Sequence, residues 1–301
     1  MRCYPLTWRA RYGEELEALL VETSADGRIS WRTQIDVAIA GGREWLRAAG
    51  LGDAGTPADR ARAGALLALC AWALFVIAGS GVQKVSEHWQ SATGGALPSA
   101  AFDVLVATAV GASLLVATGM AVTLPSFARF LRDGGWPTIR RRALAAAFVS
   151  GATVGVTVGL VVWAHRLTGN ERAGQDAGYA VAFVLWALLV IACLGAWTVA
   201  AIATARRLRL PAATLGLQAR LACAVTVAMG LMTVATVVWW VALADAAPWF
   251  LAGRPAGAAG SPFAPQLVAA AGLMVLATAL SAAGAQRAVR ALPALATEPW
   301  E

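Results

Sequence analysis

The sequence predicts an all-α membrane protein, a bundle of six transmembrane helices with a small N-terminal cytoplasmic helical hairpin. Two observations lead to this fold class. Hydrophobic residues make up 59% of the 301 residues and charged residues only 14%, whereas soluble domains carry about 25% charged residues. In addition, six apolar runs recur along the chain, each of about 18 residues or more, the length a helix needs to cross the hydrocarbon. This composition excludes a soluble enzyme.

The six apolar runs contain a single charge, Asp103, which lies next to the end of its run. Backbone groups in lipid must be hydrogen-bonded within their own segment, so each run is predicted to be a helix. The runs cover residues 63–81, 102–124, 143–164, 179–203, 221–244 and 267–284. The chain is accordingly divided into a head (residues 1–62), a transmembrane bundle (63–286) and a tail (287–301).

The distribution of basic residues predicts the orientation of the bundle. Of the 24 basic residues, 20 lie in the head, in the tail and in the segments after the second and fourth runs. The other three loops hold only Lys84, Arg166, Arg172 and Arg254. Because arginine-rich loops stay in the cytoplasm, both termini are expected there. The preference for arginine over lysine is typical of a GC-rich bacterium, so the membrane is expected to be a bacterial plasma membrane.

The head is predicted to contain two amphipathic helices, each with one apolar stripe at helical spacing. The stripes are Trp8, Tyr12, Leu16, Leu19 and Leu20 in the first helix, and Trp31, Ile35, Ala38, Ile39, Gly42, Trp45 and Leu46 in the second. Two such helices bury little surface alone. Their stripes therefore need each other, the bilayer surface, the basic inner loops or a protein partner. The head is either a passive cover of the bundle or a docking module.

Residues Thr56 to Asp59 predict the start of a third helix that continues into the first span. Thr56 can cap this helix, Pro57 suits its first position and Asp59 supplies an acid in its first turn. Direct binding of nucleic acid by the head is disfavoured, because five acids lie between Glu14 and Asp26 and would repel phosphate.

Residues 4–20, YPLTWRARYGEELEALL, resemble the opening of a group of actinobacterial multi-pass membrane proteins with the pattern YPxxWRxRYGEE. This opening is similar to the HAAS signalling domain, which occurs in membrane proteins encoded beside PadR-type transcription regulators. The resemblance covers about residues 4–48 and implies a regulatory protein without a catalytic residue of its own. The partner-docking residues it suggests are Trp8, Arg9, Arg11, Tyr12, Glu14, Glu15 and Glu17.

The third span carries Gly151, Gly155 and Gly159 at four-residue spacing on one helix face. Glycines at this spacing let another helix backbone approach closely in a membrane. Packing within the chain is the favoured interpretation, and association of two copies is the alternative.

The inner ends of the second, fourth and sixth spans each carry two arginines three residues apart. The three pairs are Arg129 and Arg132, Arg206 and Arg209, and Arg287 and Arg290. The simpler interpretation is that these basic patches anchor the helix ends to anionic lipid. The alternative is that they hold the acidic side of the first head helix as a latch.

The sequence predicts no catalytic, cofactor-binding or metal-binding residue. Ionisable residues inside a membrane usually mark transport pathways, and here the candidates Asp103, His165 and Asp245 all lie near the outer boundary. The four cysteines form no CxxC motif, and the sequence lacks HExxH, GxSxG and Walker-type motifs. We therefore expect a non-enzymatic protein without a cofactor.

Three functions agree with these patterns. The first is a regulatory membrane protein whose head docks or controls a transcription regulator or a sigma factor in the cytoplasm. The second is the membrane subunit of an ABC-type exporter that needs a separate ATPase, with a coupling helix expected within 125–142 or 204–220. The third is a membrane protein that binds a lipid or another small molecule. We favour the first, with the lipid bilayer and a cytoplasmic protein as partners and without direct binding of nucleic acid.

Overall fold

The computed structural model describes residues 3–22, 30–48, 56–85, 89–167, 177–208, 210–252 and 265–297. Within these ranges every regular element is a helix, apart from one 3₁₀ turn at Trp89–Ser91. The helices are α1 (Leu6–Glu22), α2 (Trp31–Ala48), α3 (Pro57–Val85), α4 (Ala96–Arg132), α5 (Trp136–Ala164), α6 (Ala177–Ala205), α7 (Ala212–Ala246), α8 (Pro248–Leu251) and α9 (Pro265–Thr297).

Six of these helices, α3 to α7 and α9, are long and apolar enough to cross a membrane. The all-α, six-helix, multi-pass architecture predicted from the sequence is therefore confirmed. The helices extend beyond the predicted runs. The longest, α4, has 37 residues, or about 55 Å at 1.5 Å per residue, so it must extend past the hydrocarbon of about 30 Å.

The start of α3 agrees with the sequence prediction. The Asp59 N–H donates to Thr56 Oγ1 at 3.2 Å, and the Thr56 N–H donates to the Asp59 carboxylate at 3.2 Å. This reciprocal pair satisfies backbone donors that the first helical turn leaves free. From there α3 continues without a break into the first span. The domain limits expected at residues 62 and 286 therefore fall inside α3 and α9.

The six long helices form two groups. In the first, which we call the central unit, α3 packs along α9, and α7 packs against α3, α4 and α9. In the second, which we call the peripheral pair, α5 packs along α6. The two groups meet where α6 approaches α3.

Successive long helices run in opposite directions, so the arginine-bearing helix ends gather at one end of the bundle. There Ala61 at the start of α3 packs with Leu215 near the start of α7 and Ala291 near the end of α9. The ends of α4 and α6 and the start of α5 lie at the same level. We call this the basic end.

The closest helix approach in the central unit joins α3 to α9 at two glycines. A Cβ added to Gly64 would lie 2.5 Å from the Gly284 carbonyl oxygen, and one added to Gly284 would lie 2.6 Å from the Gly64 carbonyl oxygen. Neither position therefore accepts a side chain. Small residues surround the crossing on both helices. Among them are Ala61, Ala68 and Ala288, which are all buried.

Large side chains fill the opposite half of the central unit. Trp239 is fully buried, and its ring lies 6.2 Å from Trp89 and 6.3 Å from Phe102, between ring centroids. Tryptophans near the ends of membrane spans commonly form a belt that faces the lipid headgroups. Trp89 and Trp239 do not belong to such a belt, because both are core residues.

Hydrogen bonds between side chains link helices in both groups. In the peripheral pair, Trp186 Nε1 donates to Thr157 Oγ1 and Trp197 Nε1 donates to Ser150 Oγ, each at 2.8 Å. In the central unit, the Thr226 and Ser281 hydroxyls lie 2.7 Å apart and join α7 to α9. Bonds of this kind contribute about 0.6 kcal/mol on average in membranes.

Candidate functional site: the helical head

The two head helices are joined by the N-terminal segment Cys3 to Pro5 and not by packing along their length. A Cβ added to Gly41 of α2 would lie 2.6 Å from the Cys3 carbonyl oxygen, and Cys3 Sγ lies 3.8 Å from the Val37 carbonyl oxygen. Tyr4 and Pro5 are buried in the same contact. One side of α2, the side of Val37 and Gly41, is thereby covered.

An aromatic row leads from this contact onto α1. The Tyr4 and Trp8 rings stack with centroids 4.0 Å apart, and the Trp8 and Tyr12 rings lie 5.3 Å apart. The Arg11 guanidinium lies 5.1 Å from the Tyr12 centroid, within the range of a cation–π contact. Burial raises the pKa of Tyr4, and Cys3 and Glu44 raise it further. Tyr4 is a structural anchor that the sequence analysis did not single out.

The proposed docking residues on α1 separate into two sets. Trp8 and Arg9 are half-buried, and the buried Nε of Arg9 has no hydrogen-bond partner. Glu14, Glu15 and Glu17 are exposed.

A crevice of about 440 Å³ lies between the apolar stripe of α1 and the last turn of α2. Its walls are formed by Trp8, Tyr12, Glu15, Leu16, Leu19, Glu44 and Arg47.

The apolar stripe of α2 is exposed. Trp31, Ile35, Ile39 and Trp45 are each about half-exposed or more. Successive helical residues are about 100° apart, so Ile35 and Ile39 lie on the side of α2 opposite Val37. The contact with Cys3 therefore leaves this stripe uncovered.

The mutual pairing of the two apolar stripes, one of the possibilities left by the sequence, does not occur. In the described residues, the α2 stripe packs neither along α1 nor along any of the six long helices. Arg32 and Arg43 are exposed and border the stripe. The head thus presents an apolar face with basic residues beside it and, on α1, a separate acidic face.

The inner basic patches lie at the basic end. Arg129, Arg132, Arg206 and Arg290 are exposed, Arg287 is half-buried, and Arg209 lies outside the described residues. Both ion pairs in the described part of the chain, Arg47–Glu44 and Arg62–Asp59, are local pairs three residues apart on one helix. The latch between α1 and these patches stays a prediction.

The expected coupling helix is not a separate element. In 125–142, α4 continues to Arg132 and α5 begins at Trp136, with a tight turn between them. Gly134 has φ of +79°, a left-handed conformation that favours glycine. The Phe130 ring fills the space beside Gly135, where a Cβ would clash. In 204–220, α7 begins at Ala212 as part of its span.

Gly151, Gly155 and Gly159 are exposed on α5, and a Cβ added to any of them would meet no atom within 4 Å. The favoured prediction that they pack within the chain is therefore wrong for the part of the chain that the structure describes. Association of two copies stays a prediction. The glycines that do allow close packing are Gly64 on α3 and Gly284 on α9. Neither belongs to a GxxxG motif, so the sequence pattern did not identify them.

Asp103 and Asp245 are exposed at the end of the bundle opposite the basic end, and His165 Nδ1 lies 2.7 Å from the Val161 carbonyl oxygen. Among the described residues, no three His, Cys, Asp or Glu side chains come close enough to hold a metal ion.

Comparison with known proteins identifies no family, because no family model, no curated protein and no solved structure matches this chain.

Proposed function

We propose that this chain is a non-enzymatic regulatory membrane protein whose head docks a cytoplasmic protein, either a transcription regulator or a sigma factor. The observation that supports this most directly is the exposed apolar stripe of α2. Amphipathic helices bind partners by laying an apolar face, with residues three or four positions apart, into an apolar groove. Trp31, Ile35 and Ile39 have this spacing and are exposed.

Two further features favour a protein partner. Tryptophan is enriched among the few interface residues that contribute most of the affinity, and Trp31 and Trp45 are both exposed in the α2 stripe. The acidic face of α1, formed by Glu14, Glu15 and Glu17, can steer a basic surface of the partner into place. The head therefore combines an apolar anchor with a charged rim.

The proposal requires the basic end of the bundle, and with it the head, to lie in the cytoplasm. Reporter fusions at residues 55, 135, 212 and 295 are expected to give cytoplasmic signals, and fusions at 92, 172 and 256 external signals. The reason is the excess of arginine at the first four sites. An external signal at 135 would contradict the orientation, because this site adjoins the largest inner arginine cluster.

Docking is tested by isolating the intact protein from its native membrane with its partner bound. Ile35→Glu with Ile39→Glu places two charges in the exposed stripe and is expected to abolish capture of a regulator or sigma factor, identified by mass spectrometry. The control is Ala48→Glu, which adds a single glutamate at an exposed site of α2 about 180° from Ile39. Equal capture by the stripe variant and the control would refute docking through α2.

The acidic face is tested in the same assay. Reversal of Glu14, Glu15 and Glu17 to Arg is expected to reduce capture, since the sign of the attraction inverts. Each of the three exposed substitutions is expected to change the free energy of unfolding of the head by no more than about 0.5 kcal/mol. Limited proteolysis of the N-terminus reports the fold separately. If this variant keeps both its partner and its protease resistance, α1 has no part in recognition.

A further inference from the structure

A cavity of about 660 Å³ separates the central unit from the peripheral pair. Its walls come from α3, α4 and α7 on one side and from α5 and α6 on the other. Most of the lining side chains are apolar, and none is Asp or Glu. The volume lies within the range of small-molecule binding sites, about 300–1,000 Å³.

The cavity has the depth of one leaflet of a bilayer. Along α3 it extends from Arg62 to Trp72, ten residues or about 15 Å at 1.5 Å per residue. This is half of the hydrocarbon thickness of about 30 Å. Because Arg62 lies at the basic end, the cavity occupies the leaflet on that side and stops near the middle of the membrane.

The cavity opens sideways toward lipid. Leu124 on α4 and Leu144 on α5 both line it, and both are more than half exposed. Met120, one turn further into the membrane on α4, is also lining and exposed. An acyl chain can therefore enter between α4 and α5 without crossing the polar surface of the protein.

Arg62 places a positive charge at the mouth of the cavity. Its side chain is only 16% exposed, and its Nε is buried without a hydrogen-bond partner. Its only described ion pair is with Asp59, with a nitrogen–oxygen distance of 3.5 Å, beyond the usual length of a charged hydrogen bond. A buried guanidinium with an unused donor is costly unless an anion approaches it. The other polar side chains in the lining are Gln218, Thr123 and Thr204.

We propose that this cavity binds one acyl chain of an anionic phospholipid from the leaflet at the basic end, with the lipid phosphate on Arg62. The apolar walls, the depth of one leaflet and the lateral opening select an acyl chain. The partly exposed guanidinium of Arg62, with its long contact to Asp59, and the absence of carboxylates among the lining residues favour an anionic headgroup. This inference goes beyond the proposed function and does not depend on the partner of the head.

The experiment uses the full chain, delipidated in detergent and titrated with phosphatidylglycerol or phosphatidylcholine of identical acyl chains. Native mass spectrometry counts bound lipids. We expect one phosphatidylglycerol per chain to be retained with an affinity about fivefold above phosphatidylcholine, the effect of about one basic residue at a membrane surface. Equal affinity for the two lipids would overturn the proposal.

Two variants of α3 form a matched pair. Arg62→Gln is expected to lose the preference for phosphatidylglycerol, and Arg60→Gln, which removes an exposed arginine outside the lining, is expected to keep it. A loss of preference in both variants, or in neither, would overturn the role of Arg62. Inorganic phosphate is expected to leave the lipid bound. Displacement by phosphate would identify the site as one for a small anion.

Ala201→Phe supplies a test that leaves Arg62 in place. Ala201 lines the cavity from α6 and is half-buried, so a phenyl ring at this position fills the space an acyl chain would take. We expect this variant to lose the single retained phosphatidylglycerol. Retention of that lipid would overturn the proposal even if Arg62→Gln fails to insert into the membrane.

Discussion

The central unit and the peripheral pair contain helices of similar hydropathy, but α3, α7 and α9 of the central unit bury 33–44% of their most apolar windows, whereas α4 and both helices of the peripheral pair bury 11% or less. The α6 helix has the highest mean hydropathy of the six, 2.5, and none of its most apolar window is buried, whereas α7, at 2.2, has 44% of its window buried. Inside lipid, the hydrophobic effect does not favour contact between two helices over contact of each helix with lipid. What distinguishes the central unit is the set of small residues that lets α3 and α9 meet at Gly64 and Gly284.

Leucine at position 64 is the strongest test of this contrast. A side chain there would have to displace the Gly284 backbone, so we expect Gly64→Leu to destabilise the bundle by at least the upper part of the range of about 1–3 kcal/mol seen for overpacked cores. The measurement is thermal unfolding in mixed micelles. Gly155→Leu is the control, since its Cβ meets no atom within 4 Å in the chain. Equal effects would show that the central unit is not held by close packing.

Gly155→Leu also tests the self-association left open by the α5 glycines. A dimer formed through Gly151, Gly155 and Gly159 would dissociate when leucine separates the two backbones, while the monomer keeps its stability. Cross-linking in native membranes measures this separately from unfolding. An unchanged cross-linking pattern would show that the glycine face of α5 contacts lipid and forms no dimer interface.

A smaller effect is expected from the hydroxyl pair between α7 and α9. Ser281 is fully buried and its Oγ lies 2.7 Å from Thr226 Oγ1. Thr226→Val leaves the Ser281 hydroxyl without this partner, and an unsatisfied buried group costs about 1–3 kcal/mol. Adding Ser281→Ala to Thr226→Val is expected to recover part of that loss. The free energies of unfolding of the two single variants and the double variant give the coupling, and a coupling of zero would contradict the contact.

The smallest effect is expected in the peripheral pair. Trp186→Phe keeps most of the ring but removes the N–H that donates to Thr157 Oγ1 at 2.8 Å. We expect a loss of about 0.6 kcal/mol, seen as faster hydrogen exchange in α5 and α6 with unchanged exchange in α3 and α9. Faster exchange throughout the bundle would mean that the two groups unfold as one and that their separation is only geometric.

The sequence predicted the number and type of the helices because lipid forces every apolar run to satisfy its own backbone. It also predicted the start of α3, since a threonine, a proline and an acid at Thr56, Pro57 and Asp59 act locally. The neighbours of each helix were not predictable in this way. All faces of an apolar helix are acceptable to lipid, so the pattern did not reveal that Trp239 is buried while Trp163 is exposed.

The head shows the same division between local and long-range information. The stripes on α1 and α2 follow from periodicity, and the start of α2 is capped locally, with the Thr33 N–H donating to Ser30 Oγ at 3.4 Å. The exposure of the α2 stripe depends instead on the contact between Cys3 and Gly41, which are far apart in sequence. The cavity lined by Arg62 likewise depends on five helices at once.

The crossing of α3 and α9 also governs the timing of assembly. These are the first and the last of the six long helices, and more than 200 residues separate Gly64 from Gly284. During synthesis α3 enters the membrane long before its main neighbour exists, and chains emerge at about 5–20 residues per second. For at least about 10 s its small-residue face is therefore in contact with lipid or with insertion factors. A ribosome that stalls before α9 leaves the small-residue face of α3 without its principal neighbour.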